Sequence, residues 1–468
     1  MLYLKKHSFP FLIAIVCIGI MIFHLWLAWP GYIHNDTPHS LLLTKDNWHP
    51  IIIVYALQFL YWIGGVHVYH MLLLIMVPFY LAVFVLFYTL WKRFRSYWSG
   101  LALLPIFIAN IFFQNFVLHS SSLSPMWIFL CYALSFYPLL NPIRGKIKNI
   151  LYYAIILLVF SLSLLSRHNA IVQLFPLGVV WIFQLEQVYH LSFKKYFFFI
   201  FMFLFYTIGV SVGVPKLLQA RPSNPAQHII LHQIAGACVP ADDDTCFKTE
   251  WYQQNADWEK VKNEYKNNPF FADRFSTLQS QYQVFKGEKL KGLYGMWIKS
   301  IFRHPYNYAK HVLRFLKRMW GNPVDIENIR DIQRQQFCDG ANNWLDGRYG
   351  IGFPKNEKCI TFTKGKTKVY SLLRRYLPFV PTCVFVLISV FGVFLSGGLF
   401  LKKDKNILLL FAFATSFFGI VSYILFAVFS PTDYYRYMHP ALILPIFSVI
   451  GICAYYAILK KSHNTTEH

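Results

Sequence analysis

In a chain of 468 residues, 56% of them hydrophobic, 19% aromatic and 14% charged, the apolar share exceeds what a soluble fold buries, since ordinary soluble domains carry charge on about a quarter of their residues. The formal charge of +23, from 44 Lys and Arg against 21 Asp and Glu, would point a soluble protein toward nucleic acid. Here the basic residues fall between apolar runs and not along one polar face, which excludes that partner and predicts an all-α integral membrane protein. Phe9 to Trp29 follows Lys5-Lys6 without an internal charge and meets the roughly 20 residues that cross a bilayer core. It is long for a signal-peptide core, and no A-x-A site precedes Trp29-Pro30. The next run, Ile51 to Ile63, has 13 residues before Gly64-Gly65; it is too short to cross and predicts a helix lying in the interface. Further runs near 66–91, 98–117, 124–140, 150–166, 170–187, 196–217, 378–400, 406–429 and 440–459 bring the expectation to about ten spans.

Alternate connections carry Lys5/Lys6, Lys92/Arg93/Arg95, Arg144/Lys146/Lys148, Lys194/Lys195, Lys402/Lys403/Lys405 and Lys460/Lys461, fifteen basic residues in all. The short connections of the other parity carry three, Lys45, Arg167 and Arg436. Positive charge is retained on the cytoplasmic side, so both termini are expected in the cytoplasm. This divides the chain into a membrane module (1–219) with its first external loop at 30–65, an extracytoplasmic insertion (220–377) and C-terminal spans (378–468). The insertion holds Cys238, Cys246, Cys338 and Cys359, four of the eight cysteines. An even number in an oxidising compartment predicts two disulfides, of which Cys238–Cys246 with Cys338–Cys359 is the simplest of three pairings. Leu290 to Trp320 mixes aromatic, Leu, Lys and Arg residues near a helical period, with Pro305 interrupting. It predicts an amphipathic helix at the outer interface.

Carboxylates are scarce: Asp36 and Asp46, both in the first external loop, are the only two before Glu186. Asp36 before Thr37-Pro38 suits a helix N-cap. With Asp46, Trp48-His49-Pro50 and the short apolar helix, it also sets a carboxylate and a histidine where lipid headgroups meet water. Trp29-Pro30-Gly31, four residues, Asp36, then Trp48-His49-Pro50 heading a short hydrophobic helix resembles the first external loop of the GT-C glycosyltransferases, and their bacterial branches most. Leu165-Ser166-Arg167-His168-Asn169-Ala170 and Asp433-Tyr434-Tyr435-Arg436-Tyr437-Met438-His439-Pro440 also resemble segments of that superfamily. The insertion matches mainly over Trp297 to Tyr308, with His304-Pro305. The resemblance implies a multi-pass enzyme of a bacterial inner membrane. Such an enzyme takes a sugar from a polyprenyl phosphate or diphosphate carrier and gives it to an envelope glycan, lipid or protein, using an acidic residue of this loop. On that reading Asp36 is the catalytic base, and Asp46 and His49 orient the loop. The chain departs from the protein mannosyltransferases, which have Asp-Glu where Asp36-Thr37 stands, and it lacks the WWD signature of oligosaccharyltransferases; metal-dependent transfer and transfer to Asn are therefore not expected.

A phosphate carrier needs fixed cations at the outer interface, and a guanidinium binds phosphate as a fork. Arg167 with His168, and Arg436 with Tyr437, are the first candidates; Arg303, His304, Arg374 and Arg375 are secondary. Interfacial snorkelling is the alternative for each arginine. No cofactor is assigned, and a divalent metal stays open without support, because Asp242-Asp243-Asp244 lacks the spaced oxygen ligands of a calcium loop and His67 with His70 lacks further ligands. P-loop and C-x-x-C patterns are absent from the sequence. The expected partners are the polyprenyl-linked sugar, an acceptor and membrane lipid. The rival readings are a transporter or lipid flippase, which calls for charges in mid-helix and broken helices, and a non-enzymatic subunit of envelope polysaccharide assembly.

Overall fold

Charge-free apolar runs become helices because, away from water, each backbone N–H and C=O has to find its partner inside the segment. The computed structural model describes residues 2–29, 31, 51–65, 69–116, 118, 120–167, 170–189, 192–220, 225–270, 272, 275, 284–321, 364–402, 406–429 and 435–466. The membrane module contains α1 (Leu2–Ala28), α2 (Ile51–Gly64), α3 (Tyr69–Phe94), α4 (Ala109–Gln114), α5 (Ser120–Leu140), α6 (Lys146–Leu165), α7 (Ala170–Tyr189) and α8 (Phe193–Ile208). A π-turn at Gly209–Gly213 carries α8 on through Val214–Leu217. The insertion contributes α9 (Pro225–Cys238), α10 (Trp258–Asn267), α11 (Leu293–Arg303), α12 (Pro305–Trp320) and α13 (Lys364–Tyr376). The C-terminal part adds α14 (Thr382–Lys402), α15 (Ile407–Phe429) and α16 (Tyr435–Thr466). Among the described residues, eight of these helices (α1, α3, α5, α6, α8, α14, α15 and α16) are long and apolar enough to cross a membrane. The chain is an all-α, multi-pass membrane protein.

One predicted element takes a different form. Residues 98–117 read as a helical span, but Tyr97–Phe107 is a 3-10 helix, capped where the Ser96 hydroxyl accepts from the Trp98 N–H at 3.3 Å, and only Ala109–Gln114 is α-helical. Pro105 lies inside it; proline has no N–H to donate and its ring clashes with the carbonyl one α-turn back. The i→i+3 form also lengthens the segment, since each residue rises about 2.0 Å instead of 1.5 Å. α2 keeps the expected short length: its 14 residues reach about 21 Å. Gly65, at φ +80°, ends it by donating its N–H to the Tyr61 carbonyl at 2.9 Å, the left-handed C-terminal cap that glycine adopts without strain.

Among the eight long helices α5 is the most enclosed, flanked by α3, α6 and α16. Tyr132 and Phe129 pack on Phe447 with ring centroids 5.1 and 5.3 Å apart, and Phe136 packs on Phe411 at 5.2 Å. Helices in lipid gain little from apolar burial as such, so close backbone approach at small residues and internal hydrogen bonds hold them together. Gly392 of α14 lies against Ser416 of α15 and Ser448 of α16, whose hydroxyls bond each other, and Gly419 lies against Ser389. His24, fully buried in α1, donates from Nε2 to the Phe112 carbonyl (3.0 Å) and accepts at Nδ1 from the Tyr80 hydroxyl (2.9 Å). The carbonyl can only accept, which fixes that tautomer.

α3 and α5 run in the same direction. Their C-terminal ends meet where Asn141 donates to the Thr89 carbonyl at 3.0 Å and Tyr88 stacks with Tyr137. The 97–118 segment therefore returns the chain to the opposite end of the bundle, where Leu118 meets Gly31. At that same end the described part of the insertion builds a second core around Trp251, Phe275, Phe285 and Val261, pinned by an isolated bridge between Tyr252 and Phe285. Cys238 and Cys246 are joined as a disulfide, the first of the pairs expected; Cys338 and Cys359 lie outside the described residues. The predicted 290–320 helix is broken as expected, with Pro305 opening α12, the helical position at which a missing N–H costs nothing.

Candidate functional site

Trp29 and Gly31 have definite structural roles at the start of the first loop. Gly31 sits at φ +115° and donates its N–H to the Ala28 carbonyl at 2.7 Å. A Cβ built there would lie 2.4 Å from Leu118 Cδ2, so both the backbone angle and the space require glycine. Trp29 stacks on Tyr69 with centroids 4.6 Å apart, which closes the base of the loop at both ends. Within the loop, α2 packs against α3 and α6. Its Tyr55 hydroxyl donates to the Leu218 carbonyl at 3.4 Å, so it lies beside the end of α8's continuation. Ile51, Ile53, Val54 and Leu57 are its buried face, while Phe59, Trp62 and Ile63 are exposed. Asp36, Asp46 and His49 lie outside the described residues.

Three further pieces gather at this end of the bundle. Arg167 is half-buried in the turn from α6 to α7, its carbonyl accepting from the Ala170 N–H at 3.1 Å; His168 lies outside the described residues. α13 crosses the ends of α1 and α4: Lys366 rides over the Trp26 ring at 5.4 Å, and buried Tyr370 packs on Phe113 at 5.1 Å. The chain then leaves the insertion through a clamp in which Asn110 donates to the Val380 carbonyl and accepts from its N–H, both at 2.9 Å. Arg374 and Arg375 are exposed in the last turn of α13, where cations oppose the helix dipole favourably.

The insertion docks on the C-terminal end of α15. The carbonyls of a helix's last turn have no partner within the helix, and Gln233 of α9 donates to that of Val428 at 2.8 Å. Tyr423 donates to the Leu316 carbonyl of α12 at 2.6 Å, and Trp297 of α11 packs on Phe429 at 5.9 Å. These contacts set α9, α11 and α12 beside the C-terminal end of α15. Arg436 and Tyr437 fall in the first turn of α16; their side chains lie outside the described residues.

Arg303 and His304, expected as phosphate ligands, meet a carboxylate of the insertion. Asp243 Oδ2 accepts from His304 Nε2 at 2.8 Å and lies 3.2 Å from Arg303 Nη1. Its Oδ1 accepts from the Thr245 hydroxyl (2.7 Å) and N–H (3.2 Å). Partial burial works to raise the Asp243 pKa, but the bonds from His304 and Thr245 with the neighbouring Arg303 charge outweigh it and hold the carboxyl below its ordinary value. Cys238 Sγ and Cys246 Sγ complete a group whose ligand-type atoms all lie within 4.8 Å of one another. Arg303 and His304 are thus the two predicted site residues that share a partner here. The sequence reading missed Asp243, which it took as part of an acidic run. Its position between Cys238 and Cys246 was the one available signal.

A buried polar cluster between α9 and α12 also escaped the sequence reading. His232 and His311 face each other with ring centroids 5.0 Å apart, and His311 Nδ1 bonds the Tyr265 hydroxyl at 2.9 Å. Gly236 leaves room for the His311 ring; a Cβ there would lie 2.4 Å from it. Burial pushes the His311 pKa down to about 3, helped by the Arg314 charge, and it pushes that of His232 down as well.

No protein-family profile matches this chain, and it matches no curated protein and no solved structure.

Proposed function

We propose that this protein is a GT-C type glycosyltransferase that moves a sugar from a polyprenyl phosphate or diphosphate carrier to an envelope acceptor on the extracytoplasmic face of a bacterial inner membrane. The observation that carries the reading is the gathering, at one end of the bundle, of Trp29 and Gly31, Arg167, the C-terminal end of α15 and the described part of the insertion. In the sequence, the two early carboxylates fall between Gly31 and α2, and Arg436 follows α15 directly. Asp36 would take the acceptor hydroxyl's proton as its oxygen attacks the anomeric carbon with inversion, while Arg436 and Arg167 neutralise the departing phosphate. Asp46 and His49 would orient the loop.

Ten crossings fit this arrangement. The eight long helices are joined by α7 and by the 97–116 segment, whose 11 3-10 residues and 6 α residues reach about 31 Å, close to the roughly 30 Å of a hydrocarbon core. Ten crossings return the chain to its starting side, and the basic connections then mark that side as cytoplasmic. The transporter reading calls for charges in mid-helix, and among the described residues the eight long helices carry Lys and Arg only near their ends; the broken 97–114 segment and the π-turn of α8 are features it would share. The experiment is incubation of detergent-purified protein with a synthetic polyprenyl-phosphate sugar and an envelope extract from a deletion strain. Release of polyprenyl phosphate with sugar-labelled acceptor is expected. Turnover absent with every carrier-linked sugar, together with no carrier-linked intermediate accumulating in the deletion strain, would contradict the proposal.

A further inference from the structure

We infer that Cys238, Asp243, Cys246 and His304 form a thiol-gated zinc site in the insertion: closed to metal while the cysteines are a disulfide, and a four-ligand Zn²⁺ site once they are reduced. A disulfide that merely staples a loop needs two cysteines and no particular neighbours. This one has a carboxylate oxygen beside one of its sulfurs and an imidazole bonded to that oxygen. Asp243 Oδ2 lies 3.5 Å from Cys246 Sγ and 2.8 Å from His304 Nε2, and all four ligand-type atoms fall within 4.8 Å of one another. Zinc takes Cys, His and Asp ligands in a tetrahedron at about 2.0 to 2.3 Å, which places ligand atoms roughly 3.3 to 3.8 Å apart. The pocket is thus near the required size without a change of fold.

The surroundings suit a metal as well. Thr245 holds Asp243 Oδ1 with its hydroxyl and its N–H, leaving Oδ2 to face the sulfurs, as an outer-shell partner orients a ligating carboxylate. Two thiolates, one carboxylate and a neutral imidazole around Zn²⁺ leave one net negative charge. Arg303, 3.2 Å from Asp243 Oδ2 and 2.6 Å from the Thr245 hydroxyl, supplies the opposing positive charge. Both cysteines are buried, while Pro240, Ala241, Asp242, Asp244 and Thr245 of the turn that joins them are exposed.

The chemistry balances with a dithiol as reductant. Exchange transfers two electrons and two protons: the dithiol becomes a disulfide, and Cys238 and Cys246 become thiols. Zinc then displaces both thiol protons to solvent. Because His304 adjoins Pro305 at the start of α12, and α12 bonds to Tyr423 of α15, metal binding would brace the end of the bundle where the insertion docks.

The test uses full-length protein in detergent, reduced with a phosphine that does not chelate zinc, desalted without oxygen and titrated with Co²⁺ and then Zn²⁺. The expected result is one Co²⁺ per reduced chain with the visible absorption of a tetrahedral thiolate site, bleached by Zn²⁺, and none in the oxidised protein. His304→Ala and Asp243→Asn should each weaken binding at least tenfold, whereas Cys338→Ser/Cys359→Ser should leave it unchanged. Alkylation mapped by mass spectrometry keeps the test independent of variant folding: Zn²⁺ should protect Cys238 and Cys246 of the reduced wild-type protein together. Absence of reductant-dependent uptake, uptake unaffected by both His304→Ala and Asp243→Asn, or unprotected Cys238 and Cys246 would overturn the inference.

Discussion

Acidification should loosen the insertion through the His232–His311 pair. His311 is 2% exposed and its pKa falls to about 3 in the fold, against about 6.5 in an unfolded chain. Between these values the unfolded state binds a proton that the folded state refuses, so stability is highest above about pH 6.5 and falls as the pH drops toward 3. From pH 7 to pH 5 the loss from His311 alone is about 2 kcal/mol. His232, shifted in the same direction by burial and by His311, adds to it. The groups facing the pair are His228, Tyr265 and Arg314, none of them a carboxylate to hold an imidazolium. Asp243 acts with the same sign at lower pH: its lowered pKa adds stability that is lost as the pH falls below the ordinary carboxylate range. The assay is hydrogen exchange of α9 and α12 in detergent at pH 7 and pH 5, corrected for the intrinsic exchange rate. Opening should become about 30-fold more frequent, at roughly 1.4 kcal/mol per tenfold. His311→Phe, which removes the titration, should flatten most of that dependence. Equal protection at both pH values, or an unchanged slope in His311→Phe, would refute the reasoning.

Gly31→Ala should destabilise the protein by about 1 to 3 kcal/mol, because it meets both a positive φ and Leu118; adding Leu118→Ala should recover only the steric part, read as a thermal midpoint in detergent. Gly392→Val, whose Cβ would fall 2.1 Å from Ser416 Oγ, should cost about 1 to 3 kcal/mol. Gly398→Val on the same helix, with nothing within 4 Å, should be close to neutral. Arg436→Ala should weaken use of the donor by about 1.5 to 3 kcal/mol at subsaturating carrier with the thermal midpoint unchanged, and Lys should rescue it only in part; wild-type rates in the Ala variant would return Arg436 to interfacial snorkelling.

The spans were legible because hydrocarbon permits a charge-free helix and little else, and a count of residues was enough to mark α2 as short. Pro305 announced the break between α11 and α12, and the close spacing of Cys238 and Cys246 announced their bond. Other features depend on what the sequence does not state. Hydropathy is blind to whether residues 97–107 bond i→i+3 or i→i+4, so the 3-10 segment read as an α-helix. Asp243 and His304 are 61 residues apart, and His232 and His311 are 79 apart; only the packing of α9, α11 and α12 brings them together. Residue type suggested phosphate for Arg303 and His304, but type alone could not reveal the carboxylate they meet in the insertion.

The most direct measurement of the proposed function is sugar transfer by Asp36→Asn. Asn has nearly the same size and can still cap a helix, so a structural role survives the exchange and proton acceptance does not. General-base catalysis contributes about 10² to 10⁴ in rate, or roughly 3 to 5.5 kcal/mol. Purified Asp36→Asn should therefore keep its thermal midpoint and carrier binding while losing transfer from a synthetic polyprenyl-linked sugar by that factor, with Asp46→Asn affected far less. Transfer by Asp36→Asn within about threefold of wild type, well below that range, would contradict the account.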